Sequence, residues 1–230
     1  VVLCGAGLYV NQAMAVGLDA PMSSSEVELL EARSAVVGVP PSIEVTPATR
    51  PDVREEFEAR GYVEDVAVSA LRCHLSDPAS TWTDPSLVIE PAAGQVAVWQ
   101  ETAAIAWGHL DPAARRASDA FGAAAAVVDG DGLLLARDAV DGRPVGCASL
   151  TIRDDIATLG GMSTIPWRRG RGVQAALIHH RVRLARAAGC VLATATAAPG
   201  GASERNLMRH GFVPWFTVTT LTGRATTAAR

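Results

Sequence analysis

The stretch Pro166-Trp167-Arg168-Arg169-Gly170-Arg171-Gly172-Val173-Gln174 constrains this chain more than any other. It follows an apolar, strand-like run over residues 157–165 and opens a helix-like run over 173–188. A strand that turns through glycines into a helix start is a ready anion site. The first helical N–H groups have no partner within the helix, and the helix dipole favours negative charge there. Gly170 and Gly172 let the backbone approach a phosphate closely. Arg168, Arg169 and Arg171 add charge-assisted contacts at the rim. The physical reading is a pyrophosphate cradle built on Arg169, Gly170, Arg171, Gly172, Val173 and Gln174.

Other phosphate loops fit poorly. A P-loop ends in Gly-Lys-Ser/Thr, and no such triplet occurs. A dinucleotide fingerprint wants three glycines and then an acid about 20 residues on. Val191, Leu192 and Ala193 stand there instead. A bare surface turn with solvated arginines is the remaining alternative, and the downstream pattern argues against it. Ala188-Gly189 ends the helix. Residues 190–197 read as a buried strand, 199–201 as a loop, 202–210 as a short helix and 212–221 as a strand.

This order resembles the GCN5-related N-acetyltransferase (GNAT) superfamily, whose signature is Arg/Gln-x-x-Gly-x-Gly/Ala after a proline that ends the fourth strand. Pro166, Arg169 and Gly172 match, and Gln174 takes the final small-residue slot. The resemblance continues through Asn206 and Gly211-Phe212. It implies an α/β protein with a mixed sheet and acetyl-CoA as acyl donor. It also implies that the fourth and fifth strands splay to admit the pantetheine arm. The backbone of Met162, Ser163, Thr164 and Ile165 would then pair with the arm's amides, Thr164 would face the acetyl carbonyl, and Asn206 would contact the CoA arm.

An internal repeat adds to this reading. A shift of 150 positions lays Gly61-Tyr62-Val63 on Gly211-Phe212-Val213 and Phe57 on Leu207. Residues 26–37 read as a helix, 43–46 as a strand and 11–18 as a further strand. In place of the glycine-arginine loop the first copy has Asp19-Ala20-Pro21-Met22-Ser23-Ser24-Ser25, and Glu56 replaces Asn206. Acids there would repel a diphosphate. The expected organisation is a tandem, pseudo-duplicated fold. A degenerate partial copy spans 1–75, a Pro/Ser/Asp-rich linker 76–85 and a complete GNAT-like domain 86–230. In that domain 87–90 starts as a strand, 95–107 and 111–125 as helices, and 132–140 and 145–152 as strands joined by Asp141-Gly142-Arg143-Pro144.

Acetyl transfer to an amine needs a neutral amine, a polarised carbonyl and a proton for the leaving thiolate. The resemblance implies a Glu on or near the fourth strand and a Tyr four residues before the Gly-Phe pair. Neither is present: residues 157–165 hold no acid, and the tyrosine position is Leu207. Substitutes are Ser203 for the thiol and His109 or Asp111 for the amine. Ser203 also reads as a helix cap and His109 as a solvated residue at a helix end. His179 and His180 lie about 100° apart on their helix and cannot both face one site. Trp99 and Trp107 read as helix core, with an acceptor wall as the alternative.

Composition excludes other classes. A net charge of −4 gives no case for nucleic acid or a membrane surface. Cys4, Cys73, Cys147 and Cys190 are far apart in sequence and lack metal spacing, so buried reduced thiols, no metal and a cytoplasmic location are expected. The first residue is not Met and no basic leader precedes the apolar start, so the true N-terminus is expected to lie outside this numbering. The function expected is an acetyl-CoA-dependent N-acetyltransferase. It would act on a small-molecule amine or amino-acid-like acceptor by direct transfer, as a monomer or homodimer. The alternative is an acyl-CoA-binding sensor or scaffold without turnover.

Overall fold

The computed structural model describes residues 1, 3, 11–76, 83–129 and 132–224. The chain divides into two compact units, Val1–Ser69 with Phe216–Arg230, and Ala70–Trp215. Among the described residues, strands and helices make a mixed α/β fold.

The first unit begins with helix α1 (Ser24–Val37), followed by β1 (Ser42–Val45), α2 (Pro51–Ala59) and the start of β2 (Val63–His74). Ser23 opens α1 with a capping box: it accepts from the Glu26 N–H while the Glu26 carboxylate accepts from the Ser23 N–H. Gly38 closes the helix in the left-handed conformation. Val27 and Leu30 on α1 meet Ile43, Phe57 and Tyr62 in the core of this unit. Residues 11–18 do not form the expected strand. Ala13 makes one isolated bridge to Ile43, after which Ala15 and Gly17 take positive φ and turn the chain away. The sequence reading takes the run around Cys73 as strand-like but sets no bounds for β2. Residues 216–222, grouped there with 86–230, pack with the first unit, where β1 pairs antiparallel with β8 (Val213–Thr222). Most of the expected linker, 77–82, lies outside the described residues.

The second unit follows the expected order closely. Strand β3 (Leu87–Pro91) precedes helices α3 (Val96–Trp107) and α4 (Pro112–Asp129). The antiparallel run β4 (Leu133–Asp138), β5 (Pro144–Arg153) and β6 (Ile156–Thr164) comes next, then α5 (Val173–Ala187), β7 (Leu192–Ala197) and α6 (Ala202–Arg209). The helix α3 packs on β4 and β5 through Trp99 and Ala103, and α5 packs through Val173 and Leu177 on Val145 and Ala148 of β5. Cys73, Cys147 and Cys190 are buried, and Cys4 lies outside the described residues. Among the described residues, no helix is long and apolar enough to cross a membrane.

Candidate active site

Two features of β6 open a slot in the second unit. Its parallel pairing with β7 runs only from Ile156↔Leu192 to Thr158↔Thr194, so residues 159–164 keep only the ladder to β5. Its ladder to β5 also slips between Cys147 and Ser149, which face Ser163 and Gly160. The extra β6 residue makes a bulge, and Gly161 sits in it at φ +54, a region a side chain rarely adopts. The fully buried Trp99 closes the bulge from below. Its ring lies 3.2 Å from the point where a Gly161 Cβ would be, and its indole N–H donates to the Ala148 carbonyl at 3.0 Å.

Beyond β6, Pro166–Arg168 forms one turn of 3-10 helix and leads into the glycine loop. Gly170 and Gly172 both take positive φ, and Gly172 is the N-cap of α5 in the left-handed conformation. No side chain caps this helix, and its first turn holds no acid. The first intrahelical bond runs from the Ala176 N–H to the Gly172 carbonyl, so the N–H groups of Val173, Gln174 and Ala175 lie before the helical ladder.

A cavity of about 610 Å³ joins this helix start to the open edge of β6. Met162, Ser163 and Thr164 line one part of it; Arg169, Gly170, Gly172, Val173 and Gln174 line the loop end; Ser203 and Asn206 contribute from α6. Ile165 faces the core instead, and Arg171 is exposed outside the lining. The lining contains no carboxylate among the described residues, whereas Arg168, Arg169 and Arg209 all reach it.

The arginines divide their work. Arg168 pairs with Asp138, whose carboxyl is held below its usual range first by the Val140 N–H and further by the guanidinium. Arg169 turns back on the scaffold, donating to the carbonyls of Ala106 at 2.7 Å and Thr164 at 3.3 Å. It therefore ties the loop to α3 and β6. A polar chain runs along the other wall. The Gln174 amide donates to the Ser203 hydroxyl at 3.2 Å and accepts from Asn206, and the Asn206 carbonyl accepts from Arg209 at 2.7 Å.

Ser203 is not a cap. Gly201 starts α6 without a side-chain cap, and Ser203 lies inside the helix facing Gln174. Leu207 is buried in the core. Asp111 caps α4 by accepting from the Ala113 and Ala114 N–H groups, which lower its pKa. The His109 ring lies tilted 5.8 Å from that of Trp107, and neither His109 nor Asp111 lines the cavity. Trp107 does line it, while Trp99 is core. His179 packs edge-on against the cavity-lining His210 at 4.6 Å, and burial lowers the pKa of both. His180 pairs with Arg183. Among the described residues no cluster of metal-ligating side chains occurs.

Sequence reasoning missed Arg181, a fully buried arginine on α5. A signal was present: Arg181 shares the helix stripe of Val173, Ala176, Leu177 and Ala185, so helical spacing alone turns it inward.

An open helix start preceded by a glycine loop thus lies beside two strands whose pairing stops short. The Acetyltransferase (GNAT) family profile matches residues 95–212, just over half of the chain, and the chain belongs to that family. Among solved structures it is similar to a GCN5-related N-acetyltransferase from Sphaerobacter thermophilus (TM-score 0.64, 16% identity), covering 80% of this chain and 59% of that one. It is also similar to a GCN5-related N-acetyltransferase from Kribbella flavida (TM-score 0.61, 18% identity), covering 94% and 82%. A third is a tandem GNAT protein from the clavulanic acid biosynthesis pathway (TM-score 0.61, 16% identity), covering 83% and 65%. A search of curated protein sequences gives no match.

Proposed function

We propose that this protein is an acetyl-CoA-dependent N-acetyltransferase that acts on a small-molecule amine or amino-acid-like acceptor by direct transfer in a ternary complex. The observation that carries the proposal is the uncapped, acid-free start of α5 opening into the 610 Å³ cavity beside the unpaired edge of β6. Acetyl-CoA supplies the activated acyl group. The N–H groups of Val173, Gln174 and Ala175 would hold its diphosphate, with Gly170 and Gly172 keeping side chains out of the way. The free edge of Met162–Thr164 would pair with the amides of its arm. Asn206 and Gln174, already joined, would flank it.

The amine lone pair attacks the thioester carbonyl carbon and forms the C–N bond, the C–S bond breaks, and the proton shed by the attacking nitrogen ends on the leaving thiolate. Ser203 is the cavity hydroxyl oriented by a neighbouring amide, and we assign it to relay that proton, giving its own to the thiolate as it takes the one the nitrogen sheds. With no carboxylate in the described lining to act as base, an acceptor that arrives unprotonated is favoured, and positioning contributes several kcal/mol of the barrier.

The first unit reads as a degenerate partial copy of the same fold, giving a tandem protein. Two supports are the matching Gly61-Tyr62 and Gly211-Phe212 corners and the likeness to a tandem GNAT protein. Isothermal titration with acetyl-CoA, followed by thiol release against a pool of amines, tests the function. Binding with release supports transfer. Binding without release favours the sensor reading, for which the missing carboxylate and Leu207 are the motive. No binding overturns both.

A further inference from the structure

Arg181 is fully buried and has no carboxylate partner among the described residues. A cation in such a place is costly unless its donors are satisfied. The satisfaction here is specific. One terminal nitrogen donates to the carbonyls of Ser149 at 3.0 Å and Gly160 at 3.1 Å, the two residues that face each other just before the β6 bulge. The second terminal nitrogen lies 2.8 Å from the Met162 sulfur, on the far side of the bulge. Its Nε donates to Leu177 of its own helix at 3.1 Å. One planar fork therefore bridges α5, β5 and both ends of the bulge, and Met162 lines the cavity. Burial lowers the guanidinium pKa to about 9, and no nearby carboxylate offsets the shift.

We infer that Arg181 is the positioning residue of the acyl-donor slot, a buried clamp that holds the β6 bulge so that Met162–Thr164 present a free backbone edge to the arm of the donor. The inference rests on the proposed function for the identity of the donor. The clamp itself is a claim about β6 alone. Trp99 secures the Ala148 carbonyl opposite the bulge from α3, and Arg181 secures the pair beside it from α5. Because the same helix carries the open diphosphate end, α5 sets the two ends of the slot at a fixed separation.

The test compares two probes in Arg181→Met and wild type. Acetyl-CoA needs the whole slot. 3′-Phosphoadenosine 5′-diphosphate carries the diphosphate but lacks the pantetheine arm. The expected result in Arg181→Met is at least tenfold weaker acetyl-CoA binding, with the fragment within twofold of wild type. Faster hydrogen exchange at residues 160–164 should accompany it. Equal loss of both probes, or unchanged binding and exchange in the folded variant, overturns the clamp. Should Arg181→Met not fold, Arg181→Lys carries the test. A compact ammonium cannot span Ser149, Gly160 and Met162 together, so an intermediate, arm-selective loss is expected, and wild-type behaviour overturns the clamp. If wild type binds neither probe, the proposed function fails, while exchange at residues 160–164 still decides the role of Arg181.

Discussion

The starts of α1 and α5 solve one problem in opposite ways. Each helix follows a loop, each begins with N–H groups that lack intrahelical partners, and each leads through a strand and a short helix to a Gly-aromatic corner. At α1 the chain supplies its own anion. Ser23 and Glu26 close the helix start with reciprocal bonds, and those bonds with Ser23 hold the Glu26 carboxyl below its usual range. At α5 the same positions are Gly172, a left-handed residue without a side chain, and Ala175. The helix that keeps its N–H groups occupied is finished; the helix that leaves them open needs something from solution. The corners, by contrast, agree. Phe57 and Leu207 are buried, their carbonyls accept from Tyr62 and Phe212 at 3.0 and 3.1 Å, and Gly61 and Gly211 take φ +84 and +89. Corner packing is alike in the two regions, and the chemistry of the loop before each helix differs.

The largest expected effects fall on the part that agrees. Phe57→Ala should cost about 3–5 kcal/mol and Leu207→Ala about 2–5 kcal/mol of unfolding free energy, read by urea titration. A negligible cost at either corner would break the likeness. Next is Gly172→Asp, which adds a side chain at φ +78 and a negative charge where α5 is open. Acetyl-CoA binding by calorimetry should weaken at least 100-fold with the far-ultraviolet circular dichroism unchanged. Undiminished affinity would remove the site from α5. Ala175→Glu is a subtler change, since it gives α5 the residue that stands at the same helix position in α1. It should raise thermal stability slightly by complementing the dipole, yet weaken acetyl-CoA about tenfold. Ser23→Ala should cost about 1 kcal/mol and leave acetyl-CoA affinity untouched.

The smallest effect is a pH dependence. Burial lowers the folded-state pKa of His179, His180 and His210 below the ordinary 6.5. The unfolded chain therefore takes up protons first as pH falls. Stability should decline from about pH 6.5 downward and level off once pH lies below the lowered folded values. His179→Gln should flatten that slope, measured by melting temperature between pH 5 and 8.

Much of this was legible in the sequence, because it depends on local signals. Glycines between a strand and a helix, helix ends at Gly189 and Gly211, and apolar runs of strand length predict α5, β7, α6 and β8 to within a few residues. The cavity gathers Arg169, Gly170, Gly172, Val173 and Gln174 because they are consecutive. Contacts made across elements were not legible. Arg169 reads as a rim charge, and only the position of α3 turns it toward the Ala106 carbonyl. The bulge at Gly161 needs the register of β5 to exist at all. Residues 11–18 look like a strand by composition, yet two positive-φ residues and a lack of ladder partners leave a single bridge.

The pairing of β1 with β8 also has a consequence in time. Ser42 and Thr222 bond side chain to side chain across 180 residues of chain. Synthesis proceeds at roughly 5–20 residues per second, so β1 waits roughly 10–40 s after its own emergence for its neighbour. During that interval α1, α2 and β1 form an unfinished layer whose edge is open to other chains. The first unit thus cannot close until β8 has been made, a situation in which slow, long-range pairing and exposed strand edges invite help from chaperones.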